Sequence, residues 1–582
     1  MEVRDSRRLT GPNILWERPG AVLDVSLEPG TDAGRAVAAW EGPARRLLEA
    51  VGWGRESLRS RVFQGGVSLA LSAPMDALYA ATEINEWAWE AAARALRAEP
   101  RGGEDLESAA RRLRAAIAEE SNPRLLELAR AAEDHGITFL SDDDFASAGL
   151  GAGSRTWPVN ALPRPDSVAW EERFDIPVAL ITGTNGKTTT VRLLAAMVEA
   201  AGRVPGFCST EGVWVGAEVV EPGDYSGPGG ARKVLRDSRV EVAVLETARG
   251  GMLRRGLAVP RARVAALTNV AEDHLGEWGV HDLDELADTK MIVRRAAQAL
   301  VVNADDPVLA PKAARCGLPI TWFSLDPSRP QLARGETACW LQGTSLRLRR
   351  GSRSDTLLDV AEIPMTLAGA ARHNVANALA AIGLAVALEL PMEAIRGGLR
   401  AFTSSADQNP GRLNRFDLGG AQVLVDFAHN PHGMAALLAT AAALPARRRL
   451  VLLGQAGDRD DESLKALAGE VWAGRPDRII LKELASDLRG RQAGEIPRLL
   501  AAELRRLGAP EEAIEVADSE LEAVHEALRW ARPGDLLLLV SHVSRSQVLS
   551  LLGRLAADGW RPGQALPSPS GGASAREGET AH

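Results

Sequence analysis

The chain has 582 residues, which suggests three or four domains, since single domains commonly run to roughly 100–200 residues. Hydrophobic residues make up 45% and charged residues 25%, as in soluble globular proteins, and no apolar run approaches the roughly 20 residues of a membrane helix. The net charge of −9, without a basic stripe and interleaved aromatic residues, argues against a nucleic-acid partner.

The first twenty residues lack the apolar segment of a secretory signal. The three cysteines, Cys208, Cys316 and Cys339, are too few and too scattered for a disulfide framework or a zinc site. These features predict a cytoplasmic protein with core thiols and no membrane partner.

Residues 1–165 are predicted to form a mixed α/β N-terminal domain. Its hydrophobic patterns indicate strands and helices at Ala21–Leu27, Val67–Leu71, Asp76–Leu96 and Asp105–Glu119. Trp87 and Trp89 are interpreted as core anchors rather than as a polymer-binding surface. The Gly-rich stretch from Gly149 and the following Pro-rich segment predict a linker.

Residues 166–402 are predicted to form a central domain with a P-loop-type parallel sheet. The segment VALIT is a β-branched strand, GTNGKT a turn, and the apolar-periodic run behind it a helix that ends near Gly202. Further strands are predicted at Val240–Leu245, Arg263–Leu267, Ala299–Val302 and Pro319–Phe323. Strands that alternate with helices indicate a mainly parallel sheet covered on both faces.

Residues 403–560 are predicted to form a smaller Rossmann-like domain. Its strands are expected at Val423–Phe427, Leu450–Leu453, Arg478–Lys482, Ala513–Val516 and Asp535–Val540. Residues 561–582 are rich in Pro, Gly and Ser, which predicts a disordered tail. The fold class is therefore multidomain α/β.

The turn GTNGKTTT lies between a strand and a helix, where free backbone N–H groups and the positive end of a helix dipole favour phosphate binding. Lys187 is expected to reach the terminal phosphates, and Thr188 to offer its hydroxyl to Mg²⁺. The alternative is an ordinary glycine turn. The candidate nucleotide-binding residues here are Gly183, Thr184, Asn185, Gly186, Lys187, Thr188 and Thr189.

Two further motifs follow strand ends, where α/β sheets bind their ligands. In LETARGG, Glu246 is a candidate Mg²⁺ ligand, while Arg249 either binds an anionic substrate group or forms a strand-end salt bridge. In NVAEDHLG, Asp273 and His274 follow the next strand. A lone histidine is more often a packing or surface residue, but this position favours a functional role for His274.

Two predicted helices carry further candidates. Lys290 lies in the helix-like run Asp284–Ala297, where it is either a functional lysine or a surface residue paired with Asp288 or Glu285. In ARHNVANALAA, Asn374 and Asn377 lie one turn apart on one helix face. Asn374 could instead cap that helix.

These motifs, taken in order with Pro410-Gly-Arg412 and DFAHNPHG, resemble the Mur ligase family and most of all the Mur-ligase module of cyanophycin synthetases. TGPNILWERPG is also similar to the leading domain of those synthetases. The phosphate turn has the compressed form G-x-x-G-K-T of this family. Cyanophycin synthetases carry an ATP-grasp domain between these two parts, and this chain has none between its predicted linker and the phosphate turn.

The resemblance implies ATP and Mg²⁺ as cofactors and amide formation through an acyl phosphate. It implies that Lys290 is carbamylated and that Arg412 faces the γ-phosphate. It places His373 and Asn374 at the adenine, and Asp426 and His429 towards the nucleotide and the acyl phosphate in a site assembled from two domains. Asp426 as a plain turn residue is the alternative. The implied catalytic set is Lys187, Glu246, His274, Lys290, Arg412 and His429, and the implied metal ligands are Thr188, Glu246, His274 and Lys290.

The expected substrates are a small amino-acid or peptide carboxylate and an amine, with a cationic amine such as arginine as one option. Acidic residues in predicted loops of the third domain could recognise such an amine, or could simply face solvent. These residues are Asp458, Asp460, Asp461, Glu483 and Asp487. Two other functions stay open: glutamylation of the folylpolyglutamate-synthase type, and a nucleotide-binding scaffold for a separate ATP-grasp ligase. The resemblance also implies a homo-oligomer.

Overall fold

The computed structural model describes residues 1–99 and 102–566. The chain forms two compact units, Met1–Thr403 and a second unit that begins at Ser404. From residue 567 onward, the tail that the sequence predicts lies outside the described residues. No helix in the described part of the chain is both long and apolar enough to span a membrane.

The first unit begins with an antiparallel sheet of four strands in the order β1-β2-β4-β3, with helices packed against it. The elements are β1 Glu2–Leu9, β2 Gly20–Ser26, α1 Ala33–Ala50, β3 Leu58–Phe63, β4 Gly66–Ser72, α2 Leu78–Leu96 and α3 Leu106–Glu120. Trp40 is fully buried and donates its indole N–H to Asn85 Oδ1 at 2.9 Å. Trp87 and Trp89 are buried in the same core, which confirms them as core anchors.

The segment after α3 forms α4 Pro123–Asp134 and a three-stranded antiparallel sheet of β5 Phe139–Ser141, β6 Phe145–Ala148 and β7 Arg155–Pro158. Strand β7 lies within the stretch from Gly149 that was predicted as a linker, so that prediction is wrong. A Cβ atom added to Gly151 would lie 2.4 Å from the carbonyl oxygen of Val240, in the turn before β12 of the central sheet. The lack of a side chain at Gly151 therefore allows the backbone to pack closely against a neighbouring segment.

The central sheet has eleven strands in the order β11-β10-β9-β12-β8-β13-β14-β15-β16-β17-β18. Its middle is parallel from β9 to β16, as predicted, and antiparallel strands lie at both edges. The strands are β8 Val178–Thr182, β9 Pro205–Ser209, β10 Gly212–Val215, β11 Glu218–Pro222, β12 Val242–Glu246, β13 Val264–Leu267, β14 Leu300–Asn303, β15 Ile320–Ser324, β16 Thr337–Gln342, β17 Ser345–Arg350 and β18 Arg353–Asp359. All five residues of β8 are buried, as expected for a parallel strand covered on both faces.

Helices cover both faces of this sheet, and two hydrophobic cores lie on its opposite sides. The helices are α5 Lys187–Ala200, α6 Pro228–Arg236, α7 Arg249–Arg254, α8 Leu283–Lys290, α9 Leu309–Ala313, α10 Arg372–Ala387 and α11 Met392–Ala401. Cys208 and Cys339 are buried in these cores as predicted, whereas Cys316 is only partly buried. Burial raises the pKa of the Cys339 thiol to about 12, so this thiol is unreactive at neutral pH.

The second unit contains one six-stranded sheet in the order β19-β20-β24-β21-β22-β23, which is parallel except for the edge strand β19. This is the Rossmann-like arrangement that the sequence predicts. Its elements are β19 Asn414–Leu418, β20 Ala421–Asp426, α12 Pro431–Ala443, β21 Arg449–Leu453, α13 Asp461–Ala473, β22 Arg478–Lys482, α14 Glu495–Arg506, β23 Ile514–Ala517, α15 Glu520–Trp530, β24 Leu536–Val540 and α16 Arg545–Ala557.

Candidate active site

The phosphate loop, residues 183–188, connects β8 to α5 in the middle of the central sheet. Gly186 precedes the helix with φ +85°, a left-handed conformation that favours glycine. Lys187 is the first helical residue, and its ammonium group donates to the carbonyl oxygen of Thr184 at 2.9 Å. The loop therefore presents the N–H groups of a helix start beside a lysine, which is an arrangement that binds anions.

The phosphate loop is hydrogen-bonded to the residues that follow β13. Asn185 N–H donates to Asn269 Oδ1 at 2.9 Å, and Thr268 Oγ1 donates to the carbonyl oxygen of Asn185 at 2.7 Å. Thr184 N–H donates to the carbonyl oxygen of Asn269 at 2.9 Å. A Cβ atom on Gly183 would lie 1.8 Å from Thr268 Oγ1, so only glycine fits at that position.

Thr188 and Glu246 lie next to each other, on α5 and at the end of β12. The Thr188 hydroxyl donates to Glu246 Oε2 at 2.9 Å, and both residues are buried. β12 pairs directly with β8, which is why the two side chains meet at one sheet edge. A carboxylate beside a hydroxyl offers the hard oxygen donors that Mg²⁺ prefers.

Arg249, in the first turn of α7, bonds to the loop after β13. Its guanidinium donates to the carbonyl oxygen of His274 at 2.6 Å and forms an ion pair with Glu277. It also lies 5.6 Å from the centroid of the Trp278 ring. The salt-bridge alternative for Arg249 is therefore what the structure shows, and the salt bridge bonds the arginine to the segment that carries His274.

His274 has φ +52° and a side chain that is 37% exposed. Its Nδ1 lies 3.4 Å from Glu277 Oε1, and its Nε2 lies 3.8 Å from Asp273 Oδ1, so these measured contacts are within its own loop. Within residues 1–99 and 102–566, no three His, Cys, Asp or Glu side chains form a metal-binding group. Of the four residues predicted as metal ligands, only Glu246 and His274 are of the types covered by that statement, since Thr188 and Lys290 are not His, Cys, Asp or Glu.

Lys290 is the last residue of α8, and its side chain is buried. Desolvation, together with the positive charges of Lys187 and Arg249, lowers the pKa of Lys290 well below its ordinary value. The surface alternative is wrong, because Lys312 pairs with Asp288 instead, at 2.7 Å. The structure thus places a lysine that favours its neutral form close to the lysine of the phosphate loop.

The helix α10 begins at Arg372 with Ala371 as its N-cap, so the alternative that Asn374 caps it is wrong. Asn374 is buried and donates to the carbonyl oxygen of Met365 at 2.9 Å, and Asn377 Nδ2 donates to Asn374 Oδ1 at 3.2 Å. A Cβ atom on Gly186 would lie 2.2 Å from Asn377 Oδ1. The helix therefore contacts the phosphate loop through Asn377, while the partly buried His373 lies in its first turn.

In the second unit, Asp426 ends β20 and accepts a hydrogen bond from Leu413 N–H at 2.8 Å. Desolvation raises the pKa of Asp426, and the nearby charge of Arg412 opposes this shift. The guanidinium of Arg412 lies 4.8 Å from the centroid of the Phe427 ring. Its Nε is buried and finds no acceptor among the described residues, so this arginine retains donor capacity for an anionic ligand.

Basic side chains from three segments of the second unit lie around the ring of Phe427. Arg545, at the start of α16, lies 5.3 Å from its centroid, while the imidazoles of His429 and His542 lie 5.4 Å and 5.0 Å away. Burial and the charges of Lys482 and His429 lower the pKa of His542 well below its ordinary value. His542 is therefore neutral at physiological pH, whereas Arg412 and Arg545 are positively charged.

A buried ion pair lies beside this cluster at the end of β22. Lys482 and Glu520 have no exposed side-chain surface and are bonded to each other, and Lys482 also donates to the carbonyl oxygen of Val540 at 2.6 Å. Glu520 accepts hydrogen bonds from the Ser541 hydroxyl and from the N–H groups of His542 and Ser544. Lys482 and Glu520 thus fix the turn that follows β24.

The five acidic residues considered for a cationic amine all have partners within the protein. Asp458 and Asp487 pair with Arg489, and Asp461 pairs with Arg491. Asp460 caps α13 by accepting from Ser463 N–H at 2.7 Å, and Glu483 accepts from the N–H groups of Leu484 and Gly494. The five carboxylates are thus bonded within the protein, and their recognition of a cationic amine stays a prediction.

The sequence reasoning did not single out Asn269, Lys482, Glu520 or His542. Asn269 lies inside the recognised motif NVAEDHLG, two residues after the buried strand β13, and this position could have identified it. Lys482 and Glu520 are 38 residues apart in the chain, so only the fold brings them together.

Two sequence profiles match this chain. Residues 181–385 match the Mur ligase middle domain, and residues 411–543 match the Mur ligase, glutamate ligase domain. The chain is 37% identical over 392 residues to the cyanophycin synthetase of Trichormus variabilis, which covers 66% of this chain and 43% of that protein. It is 40% identical over 360 residues to the cyanophycin synthetase of Synechocystis, which covers 61% and 41%.

This chain therefore spans less than half the length of the cyanophycin synthetases it matches. It is also 30% identical over 392 residues to the UDP-N-acetylmuramoyl-L-alanyl-D-glutamate–2,6-diaminopimelate ligase of Geobacter metallireducens, a match that covers 62% of this chain and 73% of that ligase. Both profiles and this long match agree with the phosphate loop and with the two α/β sheets. The chain belongs to the Mur ligase family.

Proposed function

We propose that this chain is an ATP-dependent carboxylate–amine ligase that acts on an amino-acid or peptide carboxylate. The γ-phosphoryl group of ATP passes to a carboxylate oxygen, which releases ADP. The amine nitrogen then attacks the carbonyl carbon of the acyl phosphate, loses a proton, and expels phosphate as the amide bond forms. The observation that carries the proposal is the phosphate loop with Lys187 beside the adjacent pair Thr188 and Glu246.

The proposed chemistry depends on positioning and charge neutralisation, because no covalent enzyme intermediate is needed. The N–H groups at the start of α5 and the Lys187 ammonium bind the phosphates. Mg²⁺ bound at Thr188 and Glu246, with His274 and a carbamylated Lys290 as further ligands, would neutralise charge on the phosphate oxygens. We propose that His373 and Asn374 contact the nucleotide base.

In the second unit, we propose that Arg412 binds an anionic group of the reactants, because its guanidinium stacks on Phe427 and retains an unused donor. Asp426 lies beside it and orients the backbone of residue 413. His429 is the candidate to accept the proton that the amine loses.

The test is a screen of purified protein with ATP, amino acids and short peptides as acids, and amino acids including arginine as amines. ADP should form only with a productive pair and in step with a new amide mass. Lys187→Ala should reduce this turnover about 10²–10³-fold, since it removes one group that stabilises transferring charge. Lys465→Ala is the matched control, because that exposed lysine pairs with Glu462 in its own helix of the second unit.

ADP formation that no acid–amine pair stimulates would contradict the ligase assignment. Retained ATP binding without turnover would instead favour a nucleotide-binding scaffold. Turnover that requires glutamate and a pterin acceptor would move the chain to the folylpolyglutamate type.

A further inference from the structure

One strand of the N-terminal sheet contacts the loop that carries His274. Arg61, on β3, donates from Nη2 to the carbonyl oxygens of Trp278 and Gly279, each at 2.9 Å. Trp278 and Gly279 both have positive φ, +48° and +66°, and this conformation turns their carbonyl groups towards the same nitrogen. A single arginine therefore bonds to two consecutive peptide groups in another part of the first unit.

The neighbours of Arg61 make this contact specific. Phe63, two residues along β3, stacks on His281 with ring centroids 5.9 Å apart. A Cβ atom on Gly279 would lie 2.6 Å from Arg61 Nη2 and 2.5 Å from Phe63 Cδ1. Desolvation lowers the pKa of Arg61, while the carboxylates of Asp24 and Glu285 stabilise its charge. The loop backbone is thus packed tightly against two side chains of one strand.

A series of contacts connects the loop that carries His274 to the phosphate loop. Trp278 packs under the guanidinium of Arg249, which donates to the carbonyl oxygen of His274. At the start of this segment, Ala271 N–H donates to Thr184 Oγ1 at 3.1 Å. Residues 268–280 are therefore bonded to the phosphate loop at one end and to the N-terminal sheet at the other.

We infer that Arg61 is a positioning residue through which the N-terminal domain fixes the His274 loop for the ATP site. Its bonds to the Trp278 and Gly279 carbonyls place the loop. The catalytic part of this inference rests on the proposed ligase function, whereas the structural part does not.

Hydrogen–deuterium exchange of the full-length protein tests the structural part without any turnover. Arg61→Ala should raise exchange in peptides covering residues 272–281 about tenfold, because two hydrogen bonds from a charged donor are lost. Arg59→Ala is the matched control: Arg59 lies on the same strand and donates to the carbonyl oxygen of Leu15 inside the N-terminal domain. It should leave exchange in residues 272–281 unchanged.

The kinetic readout tests the link to the ATP site. Arg61→Ala should lower kcat about tenfold with a smaller change in the KM for ATP, since the phosphate loop itself remains intact, and Arg59→Ala should leave both as in the wild type. Equal loop exchange in both variants and the wild type would overturn the inference, as would a loosened loop with unchanged kcat. If the wild type makes no ADP with any substrate pair, the ligase proposal fails. The exchange result still shows whether Arg61 holds the loop in place.

If Arg61→Ala raises exchange throughout residues 1–99, Arg61→Lys decides the question, because lysine keeps the charge with a shorter reach. A rise confined to residues 272–281 in that variant supports the positioning role. No rise there overturns it.

Discussion

The side chain of Lys290 is a buried amine in surroundings that disfavour its charged form. It is buried close to the positive charges of Lys187 and Arg249, which lower its pKa well below the ordinary value. A neutral amine is nucleophilic and can add carbon dioxide to form a carbamate, whose negative charge would suit this cationic environment. The arrangement therefore supports the proposed modification.

The lowered pKa of Lys290 also predicts that the stability of the protein depends on pH. Between the lowered folded-state pKa of Lys290 and the unfolded value near 10.5, the unfolded chain binds the extra proton, so stability rises with pH in this window. In bicarbonate-free buffer, Lys290→Met should therefore be more stable than the wild type at pH 7, by about 1–4 kcal/mol, and the gain should shrink towards pH 10.5. Calorimetric melting at pH 7 and pH 9.5 measures the difference.

Lys312→Met is the control for this experiment, because Lys312 forms exposed ion pairs with Asp284 and Asp288. It should not stabilise the protein at either pH. A Lys290→Met variant that melts below the wild type at pH 7 in bicarbonate-free buffer would show that the buried lysine is charged and compensated.

At the residue scale, much of the phosphate site was predictable. A glycine turn with lysine and threonine between a strand and a helix has one common structural solution, and Glu246 follows the neighbouring strand. The role of Asn374 was not predictable, because helix capping depends on where the helix begins, and Ala371 occupies the cap. The sequence alone does not fix the first residue of a helix to within one position.

At the scale of elements, the contact between α10 and the phosphate loop depends on Gly186. An alanine there would need φ +85°, and its Cβ atom would lie 2.2 Å from Asn377 Oδ1. Left-handed backbone costs roughly 1–2 kcal/mol for a non-glycine residue, and overpacking adds about 1–3 kcal/mol. Gly186→Ala should therefore weaken binding of a non-hydrolysable ATP analogue at least tenfold, as measured by titration calorimetry.

Gly202→Ala is the matched control, since Gly202 follows the other end of the same helix with φ +72° and no atom within 4 Å of an added Cβ. It should lose about 1 kcal/mol of stability and keep the wild-type affinity for nucleotide. Equal nucleotide affinity in both variants would show that Gly186 and Asn377 do not shape the loop.

The turn after β24 depends on the ion pair of Lys482 and Glu520. Burial would raise the pKa of Glu520, but the Lys482 ammonium and the hydrogen bonds of the turn outweigh it and lower that pKa. Glu520→Gln leaves a buried ammonium without its counter-charge, which should cost about 3–5 kcal/mol in the unfolding free energy of the second unit. Denaturant titration followed by hydrogen exchange in residues 478–482 and 536–544 measures this loss.

Glu526→Gln is the control on the same helix, because its pair with Arg529 is largely exposed. That change should cost no more than about 1 kcal/mol. If the two variants lose equal stability, the buried pair does not support the turn.

At the scale of the whole molecule, most of the parallel strands were predictable because buried parallel strands are short apolar runs between helices, but β9 and β16 were missed. The antiparallel edges were not, because β11 and β17 carry charged residues along their length. Helix α1 was not predicted either, since Pro43 and two glycines interrupt its pattern. The packing of the N-terminal sheet on the His274 loop depends on contacts more than 200 residues apart, which no local pattern reveals.

The central claim is that ATP activates a substrate carboxylate as an acyl phosphate. The most direct measurement uses the acid substrate found in the screen, labelled with ¹⁸O in its carboxylate, and analyses the released phosphate by mass spectrometry. The proposed reaction predicts one ¹⁸O atom in each phosphate, with ADP, phosphate and amide formed in equal amounts. Phosphate without the label, or AMP and pyrophosphate as products, would contradict it.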